Sequence, residues 1–197
     1  MNRDPWLEPW VPLLHRYPKT AEILELSCGP GYDTWFLAQQ GFHRITATDI
    51  APEALALTSQ RVPAATVLHH DLNDPLPFAD QRFGVVIASL CLHYFEWEKT
   101  LGIVRDIHRC LADGGLLVCR LNSTGDVHYG ATGHREISPH YYEVDGQAKR
   151  FFDGGEVLSL FSAGWTTLSM QERTIGRYEK PKVAWEILLT KDATAAL

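Results

Sequence analysis
The sequence predicts an α/β fold in which a mostly parallel sheet is covered by helices on both faces. Three observations carry that expectation. Strand-like and helix-like segments alternate along the chain. Acidic residues stand at or just after the ends of the first three strand-like runs. Residues 83–90 (FGVVIASL) are almost continuously apolar, as in a strand buried on both faces of a parallel sheet.

The elements follow in order. Ile23–Leu26 is the first strand, and residues 33–40, closed by Gly41, form a short helix with an apolar face. Residues 44–48 are the second strand, ending at Asp49; Pro52 sits early in the next helix, which runs to about Arg61. Thr66–His69 is the third strand, ending at Asp71, and the loop NDPLPFADQ leads to the fourth, 83–90. Residues 96–111 give a longer helix ended by Asp113-Gly114-Gly115, and 116–121 the fifth strand. Residues 122–150 lack clean periodicity and concentrate Gly, His and Tyr. That is too long for a plain connection, so a task or a small structure of its own is expected there. Asp153 and Glu156 have capping-box spacing ahead of VLSLF, which reads as a helix. Residues 165–173 and 183–190 are the last two strands, one of them antiparallel.

The 197 residues suffice for one sizeable core, and no repeat, low-complexity tract or linker divides them. The net charge of −6, with no basic cluster, argues against nucleic acid as a partner. No apolar run reaches the roughly 18 residues that span a bilayer, and the N-terminus does not have the pattern of a signal peptide. Cys28, Cys91, Cys110 and Cys119 show no paired spacing and read as reduced thiols. A single cytoplasmic domain, monomeric or homodimeric and independent of membranes, is the expectation.

The stretch ELSCGPG, residues 25–31, places glycines between a strand and a helix. Gly29 and Gly31 admit close backbone approach to a ligand, with Asp33 and Thr34 opening the helix. Asp49 lies 18 residues beyond Gly31, near the spacing at which a carboxylate meets ribose hydroxyls. A dinucleotide site would prefer a third glycine where Thr34 stands. Glu25, awkward beside a pyrophosphate, suits a cation. The charges match S-adenosylmethionine, which carries an ammonium and a sulfonium and no phosphate.

ELSCGPG, ATDI, HDLNDPLPF, FGVVIASLCLHYF and LADGGLLVC together resemble the successive motifs of class I S-adenosylmethionine-dependent methyltransferases of the small bacterial type, over about residues 22–121. The resemblance implies a Rossmann-like seven-stranded sheet with the last strand antiparallel. It implies S-adenosyl-L-methionine as cofactor, with the loop from Glu25 through Ser27, Cys28, Gly29 and Gly31 cradling the methionine moiety. Asp49 would then bind the ribose, Ile50 and Leu72 would lie beside the adenine, Asp71 would face its amino group, and Ser89 and Leu90 would form the floor. Two positions depart from the family: Ser27 replaces the loop's usual first glycine, at little cost if φ is negative there, and Gly84 stands where aspartate is common, with some loss of local hydrogen bonding expected.

Methyl transfer needs alignment more than any obligatory residue. His93, after the fourth strand, has a side chain whose ordinary pKa suits a general base, and Tyr94 is a candidate for orienting an acceptor. His128, Tyr129, His134, Arg135, His140, Tyr141 and Tyr142 offer walls and handles for a small-molecule acceptor, so the 122–150 insertion is expected to cover the acceptor site. The six-residue histidine spacing matches no familiar metal motif, and no metal is expected. Trp6 and Trp10, four apart, would share a helix face as a lid over the cofactor or as an edge packing; Trp185 and Ile187 read as core and Lys182 as solvated. A non-catalytic S-adenosylmethionine-binding module and, behind it, an NAD-dependent oxidoreductase are the alternatives.

Overall fold
The computed structural model describes residues 4–176 and 178–193; Arg177, which opens the tail motif RYEKPKVAWEILL, lies outside them. After a 3-10 turn at Glu8–Trp10 come α1 (Val11–Leu14), β1 (Ile23–Leu26), α2 (Tyr32–Gln39), β2 (Ile45–Asp49), α3 (Pro52–Arg61), β3 (Thr66–His69) and β4 (Phe83–Ser89). A second 3-10 turn, Leu92–Tyr94, leads to α4 (Trp97–Cys110), β5 (Leu111–Asn122), β6 (Arg135–Ser138), β7 (Tyr141–Val144), β8 (Gln147–Arg150), α5 (Gly154–Leu160), β9 (Trp165–Ile175) and β10 (Lys182–Lys191).

Seven strands form the main sheet in the order β3-β2-β1-β4-β5-β10-β9. The first five run parallel, and β10 is antiparallel to both of its neighbours. The expected seven-stranded, mostly parallel architecture with its last strand antiparallel is present. The two-residue period of the strands builds the two faces. Ile23, Val85, Ile87, Val118 and Leu188 turn to one side, against Leu14, Phe36 and Leu37. Their neighbours Leu24, Val86, Leu117, Cys119 and Ile187 turn to the other, against Ile103, Ile107, Val157 and Leu160.

Several boundaries differ from the sequence reading. Asp113-Gly114-Gly115 does not separate helix from strand. β5 starts at Leu111, and residues 112–115 bulge between the pairs Phe83–Leu111 and Val85–Leu116. The segment after β5 does have its own structure: β6, β7 and β8 form a three-stranded antiparallel sheet. The capping box holds, with Glu156 N donating to Asp153 Oδ1 at 2.8 Å and Asp153 N to Glu156 Oε2 at 2.9 Å. Trp6 and Trp10 do not share a helix face, because Trp6 precedes the 3-10 turn that Trp10 ends. At Gly84 a Cβ would sit 3.3 Å from the Tyr17 ring; the space an aspartate would fill holds that ring, whose hydroxyl donates to the Gly114 carbonyl.

Candidate functional site
The carboxyl ends of β1, β2 and β4 converge where β1 has parallel neighbours on both sides, the position at which open parallel sheets bind ligands. The backbone is strained there. Ser27 has φ +52° and Leu90 +55°, left-handed values that cost a residue with a Cβ about 1–2 kcal/mol. The condition under which Ser27 would cost little, a negative φ, is therefore not met. The Ser27 side chain acts on the buried Cys91 thiol, next to Leu90, and such strain concentrates at functional sites. Gly31 is required twice over: its φ is +76°, and a Cβ would approach Thr58 Oγ1 to 2.6 Å. Gly29, at φ +53°, differs, since a Cβ there would meet nothing within 4 Å and would only occupy the open space before the loop.

Asp49 ties these parts together. Its carboxylate accepts from Gly29 N at 2.8 Å and from Ala51 N at 2.9 Å, leaving further lone pairs toward the cavity it lines. Glu25 is 3% exposed and accepts from the Thr34 hydroxyl. Burial, then the charge of Asp33, holds its pKa well above the usual carboxylate range. Thr34 thus serves Glu25 from inside α2, rather than facing a ligand directly, and is fully buried. Asp33 receives Trp6 Nε1 at 3.0 Å on each oxygen. Trp6 in turn lies 4.5 Å from the Arg120 guanidinium, which also bonds Asp4 and Glu186. This ion cluster was missed in the sequence, although an arginine inside the apolar run LLVCRLN was its visible signal.

A cavity of about 760 Å³ opens before these strand ends, lined by Ser27, Asp49, Ile50, Asp71, Leu72 and Leu90 among others. Ile50 is 56% exposed, an apolar face presented to the cavity beside a carboxylate. Asp71 holds the Asn73 backbone N–H at 2.8 Å with one oxygen. Ser89 lies at the end of β4, and the Cys28 thiol, buried against Thr58, is pushed up to about 12. The carboxylates of Asp49 and Asp71 and the exposed apolar face of Ile50 suit a ligand with a diol and a flat base, while Glu25 and Gly29 lie behind this lining.

A second cavity of about 370 Å³ adjoins the first, and Leu90 and Tyr94 line both. It brings together His93, Tyr94, His128, Tyr129 and His134 of the predicted acceptor residues. Tyr141 lines the first cavity instead, donating its hydroxyl to the Tyr94 carbonyl at 3.2 Å. Arg135 lines neither; it is exposed on β6 and paired with Glu143 at 2.9 Å. His140 pairs with Glu156, and Tyr142 packs on Phe151. His140, Asp153 and Glu156 could hold a metal by proximity, yet both carboxylates are engaged in the cap of α5.

Two corrections matter chemically. Lys182 is not solvated: it is 8% exposed, and its Nζ lies 2.9 Å from Asp126 Oδ2 at the second cavity. His93 is 4% exposed, and burial, with the charges of Lys182 and Lys149, lowers its pKa to about 3. A histidine this weakly basic is a hydrogen-bonding wall, not a general base at neutral pH.

Residues 23–115 match the family model described as a methyltransferase domain. An uncharacterised methyltransferase of Synechocystis is 35% identical over 95 residues, 48% of this chain and 44% of that protein. The chain spans less than half the length of the curated relatives it matches. Among solved structures, an S-adenosylmethionine-dependent methyltransferase of Methanosarcina mazei superposes with a TM-score of 0.74 at 18% identity, covering 93% of this chain and 98% of that one. A Burkholderia thailandensis 1,6-didemethyltoxoflavin-N1-methyltransferase, solved with 1,6-didemethyltoxoflavin and S-adenosylhomocysteine, gives 0.73 at 20% identity, covering 96% and 80%. The chain has the class I S-adenosylmethionine-dependent methyltransferase fold. Among the described residues no helix is long and apolar enough to cross a membrane.

Proposed function
We propose that the chain transfers a methyl group from S-adenosylmethionine to a small-molecule acceptor by in-line displacement. One observation carries this reading: two cavities of different chemistry meet at a shared wall, Leu90 and Tyr94. The larger has the carboxylates and apolar face that suit the cofactor; the smaller has the aromatic and histidine lining that suits an acceptor. S-adenosylmethionine supplies an activated methyl on a good leaving group.

The chain's residues hold and align. Asp49 would hold the ribose diol, Ile50 and Leu72 the adenine faces and Asp71 the adenine amino group at the cavity they line, and Glu25, buried behind the loop, would attract the ammonium by its charge. Cys28, Gly29 and Gly31 let the backbone approach, while Ser89 and Leu90 form the floor. Val144 of β7, Lys149 of β8 and His134, just before β6, contribute to the wall of the acceptor cavity. Such alignment supplies up to about 7–11 kcal/mol in favourable cases without acid–base help. The Burkholderia neighbour, named for a small-molecule acceptor, supports that acceptor class.

The test is acceptor-dependent release of S-adenosylhomocysteine. Release stimulated by small-molecule acceptors is expected. Tight cofactor binding with no stimulated release across a broad acceptor panel would favour a non-catalytic binding module instead.

A further inference from the structure
The second cavity contains more polar chemistry than a hydrophobic acceptor would need. His93 Nδ1, on a side chain 4% exposed, has no hydrogen-bond partner among the described residues, and His93 lines this cavity. Leaving such a buried atom unpaired is costly, and in the tautomer that carries its proton there Nδ1 donates, so a ligand that accepts from it is favoured. Lys149, half-buried on β8, also lines the cavity, and no partner for its Nζ is found among the described residues. Tyr94, Tyr129 and Tyr178 supply flat walls.

The charges around this space sort themselves. Lys182 is neutralised by Asp126, and Asp145 stands exposed at the rim, where solvent screens it. Lys149 is left as the cation in need of a counter-charge. The lowering of His93 to about 3 comes first from burial, and the charges of Lys182 and Lys149 add to it in the same direction.

We propose that the methyl acceptor is a small aromatic anion, whose ionised oxygen or sulfur faces Lys149 and His93 and whose ring lies among the tyrosines. This rests on the methyltransferase reading above and deepens it. The step then balances without a base: a lone pair of the anion forms the bond to the methyl carbon, the carbon–sulfur bond breaks, and its electron pair returns to sulfur. An anion and a sulfonium become two neutral groups at the reacting atoms, and no proton is moved. The weak basicity of His93 is consistent with that chemistry.

A coloured phenol that ionises near neutrality provides the test. The full chain is first titrated with S-adenosylhomocysteine alone; failure to bind it would remove the methyltransferase reading itself. The saturated protein is then titrated with 4-nitrophenol and with its neutral ether, 4-nitroanisole. The expected result is a lowered ionisation pH for the bound phenol and binding about tenfold tighter than the ether, the scale of one hydrogen bond to a charged group. Lys149→Gln should remove both effects while S-adenosylhomocysteine affinity stays unchanged, and Lys149→Arg should restore them. Equal binding of phenol and ether, no binding of either, an unshifted ionisation, or an undiminished preference in Lys149→Gln would each overturn the proposal.

Discussion
The proposed cofactor end and the proposed acceptor end of this molecule use different materials. At the ends of β1, β2 and β4 the backbone provides the shape: left-handed turns at Ser27 and Leu90, an open Gly29, and a carboxylate tying loop to strand. Across the Leu90–Tyr94 wall the shape comes from side chains carried on a small separate sheet, the 3-10 turn after β4 and the chain near β10. A backbone site restricts residue type and spacing along one stretch of chain. A side-chain site draws on distant segments and accepts many residues at each position. On the proposed function, the first identifies a ligand class and the second tunes which acceptor is taken.

The largest expected effect lies in the backbone site. Gly31→Ala combines a positive φ with a Cβ placed 2.6 Å from Thr58 Oγ1. A loss of about 2–4 kcal/mol in unfolding free energy is expected, read by denaturant titration, because strain and overpacking add. Wild-type stability in this variant would show that the loop is not held against α3.

Asp49→Ala should weaken cofactor binding by about 1.5–3 kcal/mol through lost charge-assisted hydrogen bonds. Calorimetry with S-adenosylhomocysteine measures this, and a melting curve of the same variant separates it from loop loosening at Gly29. Unchanged affinity in a folded variant would remove Asp49 from the ribose.

The opposite pattern is expected across the wall. His134→Ala or Tyr129→Ala should lower turnover while leaving cofactor affinity nearly unchanged, and kcat should fall along with a rise in KM, because the acceptor is misplaced as well as weakened. A KM effect alone would demote these residues to uniform binding. The pH–rate profile should also lack any limb from His93 near its ordinary value, since burial and two lysines lower its pKa to about 3; a limb near neutrality that disappears in His93→Asn would contradict this.

Glu25 gives the smallest effect and the clearest sign. Its folded pKa is raised, so the protonated form is favoured in the ligand-free chain. The stability it contributes is present below its unfolded value and lost as pH rises through the folded one. A ligand ammonium reverses the preference and expels the proton. Affinity for S-adenosylhomocysteine should therefore rise with pH through the raised pKa of Glu25, by at most about tenfold per unit for one proton. Glu25→Gln should flatten that slope; an unchanged slope would place the proton elsewhere.

The difference between the two ends also explains what could be read from the chain. The alternation of strands and helices through β5, the capping box at Asp153 and the acidic residues at strand ends all follow from periodicity and local spacing. The sign of φ at Ser27 does not, because it depends on how β1 and β4 turn together. Composition points to His128, Tyr129 and His134, which line one cavity, but does not separate them from Tyr141, which lines the other, or from Arg135, which lines neither, since a one-residue change along a strand reverses the face a side chain meets. Lys182 was misread because its partner Asp126 is distant in sequence and only the fold brings them together. Arg120 was overlooked for the same reason, with its partners at Asp4 and Glu186.

Calorimetric titration of the unmodified chain with S-adenosylmethionine, S-adenosylhomocysteine and NAD tests the cofactor assignment most directly. Glu25, Gly29 and Asp49 lead us to expect one site with affinity on the order of micromolar for the first two ligands, and no binding of NAD. Binding of NAD with none of S-adenosylmethionine or its product would contradict it.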